Sequence, residues 1–358
     1  MQRLIISCCT VIFGFSNRQR QVQVAEIFHS YQAFTLESGI RLPGFHLAYT
    51  TYGAINPQKN NVVWVFHALT ANSNAAEWWP GLVGQDTLFD PEHYFIVCVN
   101  MPGSCYGSIH PLDSNPVSEK PYYHDFPLFT TRDMIRTYQV LQRFLGIEKI
   151  HIGIGGSMGG QQLLEWAIED PELFEMIIPL ATNAFHSPWG IAYNATQRHC
   201  IEQDSSWKEK EVYAGLQGMA IAREIALISY RNYHTYRLNQ SESDISKTDD
   251  YKSESYQRYQ GKKLTGRFNA FSYFFLSKSM DAHHVGRNRV SASQALEQIT
   301  ARALVLSISS DLLFPVEEQA FLAKHIRNSK HIVIDSDYGH DGFLLEFAQI
   351  EQAIRKFI

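Results

Sequence analysis

The sequence lacks the cysteine patterns of secreted scaffolds and zinc domains. Its 358 residues include only five cysteines, which form no C-x-x-C pair and, being odd in number, no complete set of disulfides. We therefore expect reduced thiols, no metal site and a cytoplasmic location.

Long apolar runs are also scarce. The one near the N-terminus, Leu4 to Phe15, is about half the length of a membrane-spanning helix, and no small-residue cleavage site follows it. "IISC" is similar to a lipoprotein cleavage box, but too few residues precede Cys8 for a complete signal. We expect no membrane association, and we interpret residues 1–30 as a poorly ordered N-terminal extension or the product of a start assigned too far upstream.

Excess positive charge is missing as well. The 31 basic residues are outnumbered by 36 acidic ones, which gives a net charge of −5. No basic run with interleaved aromatic residues is present, so nucleic acid is not expected as a partner. The 45% hydrophobic content is sufficient for a large core.

What the chain does contain is a repeated alternation of strand and helix patterns. Helical patterns at 131–146 and 161–169 lie among short apolar, β-branched runs, which are typical of buried parallel strands: 62–66, 94–99, 150–154, 176–181, 303–308 and 331–335. This alternation predicts an α/β fold with a mostly parallel, doubly wound sheet. Residues 31–40 and 44–53 are expected to form an antiparallel hairpin at its edge.

The strand pattern stops between Ala184 and Ala295, where helical stretches and a polar segment replace it, and it resumes at Ala303. A separate domain is one interpretation. A helical lid inserted into one sheet explains both facts with fewer assumptions. We predict core segments at 31–183 and 296–358 and a lid at 184–295.

The most informative motif is "HIGIGGSMGGQQLLEWA" at 151–167. A dinucleotide fingerprint starting at Gly153 would need glycine where Met158 stands, and a phosphate loop would need lysine where Gln161 stands. The motif G-x-S-x-G is complete around Ser157, between a predicted strand and a predicted helix. Ser157 is therefore the candidate nucleophile, on a strained turn whose flanking glycines avoid steric clashes.

A serine nucleophile needs a base, and the base needs a carboxylate that fixes its tautomer. Asp311 follows the predicted strand at 303–308, and His340 follows the last one, which places both at the sheet edge of Ser157. Asp335 and Asp337 are weaker candidates for the acid because they lie so close to His340 in sequence.

An acyl-transfer site also needs two backbone N–H groups to stabilise the oxyanion of the tetrahedral intermediate. Met158, directly after the nucleophile, supplies the first. "FHALTANS" follows the predicted strand at 62–66 and makes Leu69 the candidate for the second.

Eight segments, in order, resemble the homoserine O-acetyltransferase family of the α/β-hydrolase fold. The resemblance extends from about Phe34 to the C-terminus and rests on these segments: "HALTANS", "WWPGLVG", "NMPGSCYGS", "GGSMGGQQLLEWA", "MAIAREIALISYR", "ESYQRYQGKK", "SSDLLFP" and "GHDGFLLE".

The resemblance implies an enzyme with Ser157, Asp311 and His340 as its triad and no cofactor. It implies that acetyl-CoA, as co-substrate, acetylates the serine and that the acetyl group then passes to the side-chain hydroxyl of L-homoserine, a step of methionine biosynthesis. Arg223, helped by Tyr230, would bind the carboxylate of homoserine, and Asp341 its ammonium group. We also expect a homodimer.

Several alternatives keep the same triad. The enzyme could be a homoserine O-succinyltransferase. It could also be a serine O-acetyltransferase, because serine is one methylene shorter than homoserine and one methylene changes binding by only about 1–3 kcal/mol. It could also be a serine esterase. A non-catalytic binding protein of the same fold is disfavoured by the intact triad.

Overall fold

The apolar runs predicted as strands assemble into a single eight-stranded sheet in a computed structural model that describes residues 25–358. The strands, in chain order, are β1 (Glu26–Ser30), β2 (Phe34–Thr35), β3 (Arg41–Leu42), β4 (Phe45–Tyr52), β5 (Val62–Phe66), β6 (Phe95–Val99), β7 (Ile150–Gly156), β8 (Phe174–Leu180), β9 (Arg302–Ile308) and β10 (Ser329–Ile334). Their order across the sheet is β1-β4-β6-β5-β7-β8-β9-β10, and β2 pairs only with β3.

The sheet is parallel from β6 to β10 and antiparallel where β1, β4 and β6 pair. Alternate residues of the fully buried strand β5 enter different cores, because successive side chains of a strand point to opposite faces. Trp64 packs in the core on one face, and Val65 packs in the core on the other. The predicted doubly wound α/β architecture is confirmed.

The helices cover both faces of this sheet and form the segment between β8 and β9. They are α1 (Ala75–Trp78), α2 (Thr131–Phe144), α3 (Met158–Glu169), α4 (Pro188–Glu202), α5 (Leu216–Tyr230), α6 (Tyr233–Gln240), α7 (Lys252–Thr265), α8 (Ala270–Asp281), α9 (Ala292–Leu296), α10 (Val316–His325), α11 (Gly342–Leu345) and α12 (Phe347–Arg355). Short 3₁₀ turns occupy Tyr123–Asp125 and Gly339–Asp341.

Local sequence explains where α2 begins and ends and where α3 begins. A capping box between Thr130 and Asp133 starts α2, and Gly146, with φ of +68°, follows its end. α3 begins at Met158, three residues before the predicted start, because the turn at Ser157 joins strand and helix directly.

The edge of the sheet differs from the prediction. The expected hairpin between 31–40 and 44–53 does not form: β2 pairs with β3, which lies between these two segments, and β4 lies inside the main sheet between β1 and β6. Residues 26–30, assigned to the N-terminal extension, form β1 instead. Phe28 of β1 packs against Phe45 and Phe144, with ring centroids 6.5 and 4.9 Å apart, so this strand contributes to the core.

The segment from α4 to α9 corresponds to the predicted lid, and within the described chain it contains helices but no strand. None of the helices formed by residues 25–358 is long and apolar enough to cross a membrane. The apolar stretch at 4–15 and the rest of the extension up to residue 24 lie outside the described residues.

A buried ion-pair network joins the end of the lid to the core. Glu165 of α3 accepts hydrogen bonds from Arg132 Nε of α2 at 2.6 Å and from Arg289 Nη2, just before α9, at 2.7 Å. Glu37, in the turn after β2, pairs with Arg132 and with Arg287 at 2.7 and 2.9 Å. Arg132 and Glu165 are almost fully buried, so each charge depends on its partners.

Replacing Glu165 with alanine tests the role of this network. We expect Glu165→Ala to lower the free energy of unfolding by about 3–5 kcal/mol, because the buried Arg132 and the partly buried Arg289 each lose a partner. Urea unfolding measures the change. The matched control is Glu254→Ala, which removes an exposed pair with Arg258 and should leave the midpoint unchanged. Equal effects of the two variants would contradict a structural role for the buried network.

Candidate active site

Ser157 lies on the turn between β7 and α3, in strained backbone geometry. Its φ of 57° and ψ of −128° are unfavourable for a residue with a Cβ, which confirms the predicted strain. The Ser157 N–H donates to the carbonyl of Leu180 on β8, and this bond fixes the turn to the neighbouring strand. The side chain is nearly buried at the carboxyl edge of the sheet.

The glycines on either side of Ser157 are required by close backbone contacts. A Cβ at Gly155 would lie 2.6 Å from the carbonyl of Gly159, and a Cβ at Gly159 would lie 2.2 Å from the carbonyl oxygen of Phe66. Real Cβ atoms do not approach so closely, so the predicted steric reason for the G-x-S-x-G spacing is confirmed.

Asp311 and His340 meet at the same edge. Asp311 follows β9, His340 follows β10, and His340 Nδ1–H donates to Asp311 Oδ2 at 2.7 Å. Asp311 Oδ1 accepts from the N–H groups of Leu313 and Phe314 at 2.8 and 2.9 Å. The buried carboxylate thus holds the tautomer whose Nε2 can accept a proton. The alternatives, Asp335 and Asp337, form no hydrogen bond with His340 in the described chain.

Aromatic packing brings His340 towards the nucleophile. Its ring stacks on Phe314 at 5.0 Å and lies 5.1 Å from the ring of Phe343. Phe343 fills the space beside Gly156, where an added Cβ would be 2.4 Å from its ring. Among the described residues none is hydrogen-bonded to Ser157 Oγ, and catalytic hydrogen bonds of this kind often tighten only in the substrate complex.

The two candidate oxyanion donors have N–H groups available. Neither the N–H of Leu69 nor that of Met158 donates to another group of the described chain. His67 shapes the loop before Leu69, because its Nδ1–H donates to the carbonyl of Ala68 while its Nε2 accepts from the N–H of Met101. Burial lowers the pKa of His67 to about 4, so the ring is neutral and its tautomer is fixed at neutral pH.

The lid supports the same loop from outside. Arg267, between α7 and α8, donates from Nη1 to the carbonyl of Thr70 at 2.6 Å. Sequence reasoning identified neither His67 nor Arg267. A histidine at a strand end and a surface arginine are common in proteins, and their contacts depend on segments that are distant in sequence.

The three candidate substrate-binding residues also lie together. The Arg223 guanidinium lies 5.3 Å from the centre of the Tyr230 ring, and that ring lies 5.8 Å from the ring of His340. Asp341 directly follows His340 and contacts Arg231, with Nε 2.9 Å from Oδ2. This contact is a charge pair rather than a well-directed hydrogen bond, because the Nε–H satisfies no hydrogen-bond geometry. Arg231 was not identified from the sequence.

The groups of this cluster differ in how far their charges are compensated by partners. Burial raises the pKa of the Asp341 carboxyl, and the nearby guanidinium groups of Arg231 and Arg223 oppose that rise. Burial also raises the pKa of Tyr230, so its hydroxyl is protonated at neutral pH. Arg223 forms no ion pair with any described residue. The triad is therefore next to a free cation and a carboxylate that has one paired oxygen.

No metal centre accompanies these groups in the described part of the chain, where no cluster of three or more His, Cys, Asp or Glu side chains is suited to hold a metal ion. The arrangement can perform nucleophilic acyl transfer: a serine on a strained turn, a histidine base with its orienting carboxylate, and two free N–H groups.

Comparison with known proteins agrees with this chemistry. A family model described as the alpha/beta hydrolase fold matches residues 61–347. The homoserine O-acetyltransferase of Cyclobacterium marinum is 48% identical over 93% of this chain and 94% of its own length. That of Chlorobaculum parvum is 41% identical over 92% and 93%.

Solved structures with lower identity share the fold. The homoserine O-acetyltransferase from Bacillus anthracis has a TM-score of 0.87 at 23% identity, covering 94% of this chain and 98% of its own. Esterase E22 has a TM-score of 0.83 at 23% identity, covering 93% and 99%. The fold alone therefore does not distinguish transfer from hydrolysis.

The steric fit of the nucleophile turn can be tested at Gly159. We expect Gly159→Ala to lower kcat/KM by about 100-fold or more, because even a 1 Å displacement of a catalytic group has effects of that size. Hydrolysis of a small activated ester measures the change. The control is Gly266→Ala, where an added Cβ would lie 3.6 Å from its nearest neighbour and φ is −74°. Normal activity of Gly159→Ala would contradict the constraint.

Proposed function

Because the chain belongs to the homoserine O-acetyltransferase family of α/β-hydrolase-fold enzymes, we propose that it transfers the acetyl group of acetyl-CoA to L-homoserine by a ping-pong mechanism. The product, O-acetyl-L-homoserine, is a precursor for methionine synthesis. The donor and acceptor are supported by the names of relatives that are 48% and 41% identical over nearly the whole chain.

In the first half-reaction, His340 Nε2 takes the proton of Ser157 Oγ as that oxygen attacks the thioester carbonyl. The oxyanion accepts hydrogen bonds from the N–H groups of Leu69 and Met158. The C–S bond then breaks, His340 returns the proton to the leaving thiolate, and CoA departs. An acetyl ester on Ser157 is left.

In the second half-reaction, the same histidine deprotonates the side-chain hydroxyl of homoserine, which attacks the acetyl-serine. As the second tetrahedral intermediate collapses, the bond between the acyl carbon and Ser157 Oγ breaks, His340 returns the proton to that oxygen, and O-acetyl-L-homoserine is released. Each proton and each developing charge has a partner in the protein. We therefore propose that no metal or prosthetic group takes part.

One observation carries the choice of an amino-acid acceptor: two oppositely charged groups, one without an ion-pair partner and one with a single paired oxygen, lie beside the triad. Arg223 has no ion-pair partner among the described residues, and Asp341 has a paired Oδ2 while its Oδ1 has no hydrogen-bond partner there. The carboxylate of a free amino acid suits Arg223, and its ammonium group suits Asp341. Tyr230, between Arg223 and His340, would add a hydroxyl donor.

The lid gives the transferase a means of excluding water. The C-terminal end of α5 packs against the turn that carries His340, where a Cβ on Gly339 would lie 2.8 Å from the backbone of Arg231. The acceptor site is therefore formed jointly by lid and core. Narrow access favours a bound hydroxyl over free water in the attack on the acetyl-serine.

We also propose a homodimer in the cytoplasm. Ile221 and Ile228, two turns apart on α5, are 49% and 58% exposed, and a second copy of the chain could cover them. Light scattering measures this state directly. The cytoplasmic location is supported by the acyl-CoA donor and by the free thiols of Cys98, Cys105 and Cys200.

Thiol release from acyl-CoA tests the proposed reaction. We expect CoA release from acetyl-CoA to depend on homoserine, to be slower with serine, and to be slower again with succinyl-CoA as donor. The measurement is thiol titration with each donor and acceptor, and without acceptor. Equal release without any acceptor would identify a hydrolase, and a preference for succinyl-CoA or serine would identify a different transferase.

Arg223→Ala separates transfer from hydrolysis. We expect kcat/KM for homoserine to fall by about 100-fold, because removing one partner of a buried charge pair costs about 2–5 kcal/mol. Hydrolysis of a small activated ester should change by less than about twofold, since the triad is intact. Arg258→Ala, which removes an exposed arginine on α7, is the matched control. Equal loss of both activities in Arg223→Ala would contradict its role in binding the acceptor.

A further inference from the structure

Arg231 contacts Asp341, the residue proposed to bind the ammonium group of the substrate. This contact needs an explanation, because a cation at this position would be expected to compete with the ammonium group. Arg231 Nε lies 2.9 Å from Asp341 Oδ2, and the two side chains are only 27% and 17% exposed. The role of this contact rests on the function proposed above, because it concerns the acceptor site of that reaction.

Close backbone packing brings the two residues of this contact together. Gly339, with φ of +62°, allows the 339–341 turn to touch the end of α5, and an added Cβ there would lie 2.8 Å from the Arg231 carbonyl carbon and 2.9 Å from the Tyr230 carbonyl oxygen. Arg231 itself caps α5, since its N–H donates to the carbonyl of Leu227. The guanidinium and the carboxylate therefore start from adjacent, closely packed main chains.

The charge balance around Asp341 explains why a cation is needed there. A buried carboxylate tends to take up a proton, and a protonated Asp341 would not attract an ammonium group. The charged and titratable groups that face it come from α5, α6, the turn after β9 and its own turn: Arg223, Tyr230, Arg231, Tyr236, Asp311 and His340. Among these, Arg231 is the cation in direct contact with the carboxylate.

We propose that Arg231 is a positioning residue for the acceptor half-reaction: it keeps Asp341 ionised, occupies Oδ2, and leaves Oδ1 for the ammonium group of the substrate. The acceptor site is then selective for amino acids with a free, charged ammonium group. Arg231 does not touch the reacting atoms, and the acetylation of Ser157 does not depend on it.

The pH dependence follows from the sign of the pKa shift. Burial raises the pKa of Asp341 and Arg231 opposes that rise, so removal of Arg231 moves the pKa further upward. On acidification, the Asp341 carboxylate of the variant therefore becomes protonated at a higher pH than that of the wild-type enzyme. The KM for homoserine should therefore rise in the variant as pH falls, over a range in which the KM of the wild-type enzyme changes little.

The experiment compares Arg231→Met and Arg231→Lys with the wild-type enzyme. We expect Arg231→Met to raise the KM for homoserine about tenfold near pH 6 and less near pH 8, because one pKa unit changes the ionised fraction by up to about tenfold. Arg231→Lys keeps the charge and should restore most of the affinity. Arg237→Met, which removes an exposed arginine on α6, is the matched control and should resemble the wild type.

A double variant tests whether Arg231 acts through Asp341. In Asp341→Asn the side chain cannot ionise, so adding Arg231→Met should not raise the KM for homoserine further. CoA release without an acceptor, which reports acetylation and hydrolysis of Ser157, is measured in every variant, so that an effect on the acceptor half-reaction is distinguished from a general loss of activity.

Three kinds of change in the KM for homoserine would overturn the inference. The first is a lower KM in Arg231→Met, which would mean that Arg231 competes with the ammonium group. The second is a rise in KM that does not depend on pH and also occurs in Arg231→Lys. The third is a double variant in which the increases in KM caused by Arg231→Met and by Asp341→Asn multiply. If the wild-type enzyme itself shows no homoserine-dependent release, the proposed function fails and the inference fails with it. If the wild-type enzyme transfers normally and the Arg231 variants have an unchanged KM for homoserine, the inference fails and the proposed function stands.

Discussion

The active site depends on one close backbone contact, between the start of α3 and the end of β5. Gly159 has no room for a Cβ beside the carbonyl oxygen of Phe66, so the nucleophile turn and the loop that leads to Leu69 are held at a fixed separation. The same turn holds Ser157 in strained backbone geometry, with φ of 57°. Because β9 and β10 are parallel to β7, the segments that follow them bring Asp311 and His340 to the same edge of the sheet.

The lid adds chemistry that the sheet cannot supply. The core has a fold that solved structures of an esterase and of a homoserine O-acetyltransferase share. The end of α5 brings Arg223, Tyr230 and Arg231 to the turn of His340 and Asp341, and this surrounds the base with charges of both signs. Under the proposed function, this arrangement orients a zwitterionic amino acid but not a water molecule. We therefore propose that selectivity for transfer depends on the contact between lid and core.

The parts of the site that could be predicted are those determined by local sequence. The nucleophile turn has a fixed spacing, and Asp311 and His340 each follow an apolar strand. The contacts of Arg231 and His67 could not be predicted, because they join segments that only the folded chain brings together and no spacing marks them. β1 was missed for a related reason: its short, partly polar sequence becomes a strand only through pairing with β4.

The central claim is that Ser157 carries the acyl group and that homoserine removes it. The most direct measurement is peptide mass spectrometry of the enzyme quenched after reaction with acetyl-CoA, before and after a chase with homoserine. We predict one acetyl group on the peptide that contains Ser157, lost much faster to homoserine than to water, with O-acetylhomoserine as the product. An unmodified Ser157 peptide under these conditions, or loss of the acetyl group at the same rate in water and homoserine, would contradict the account.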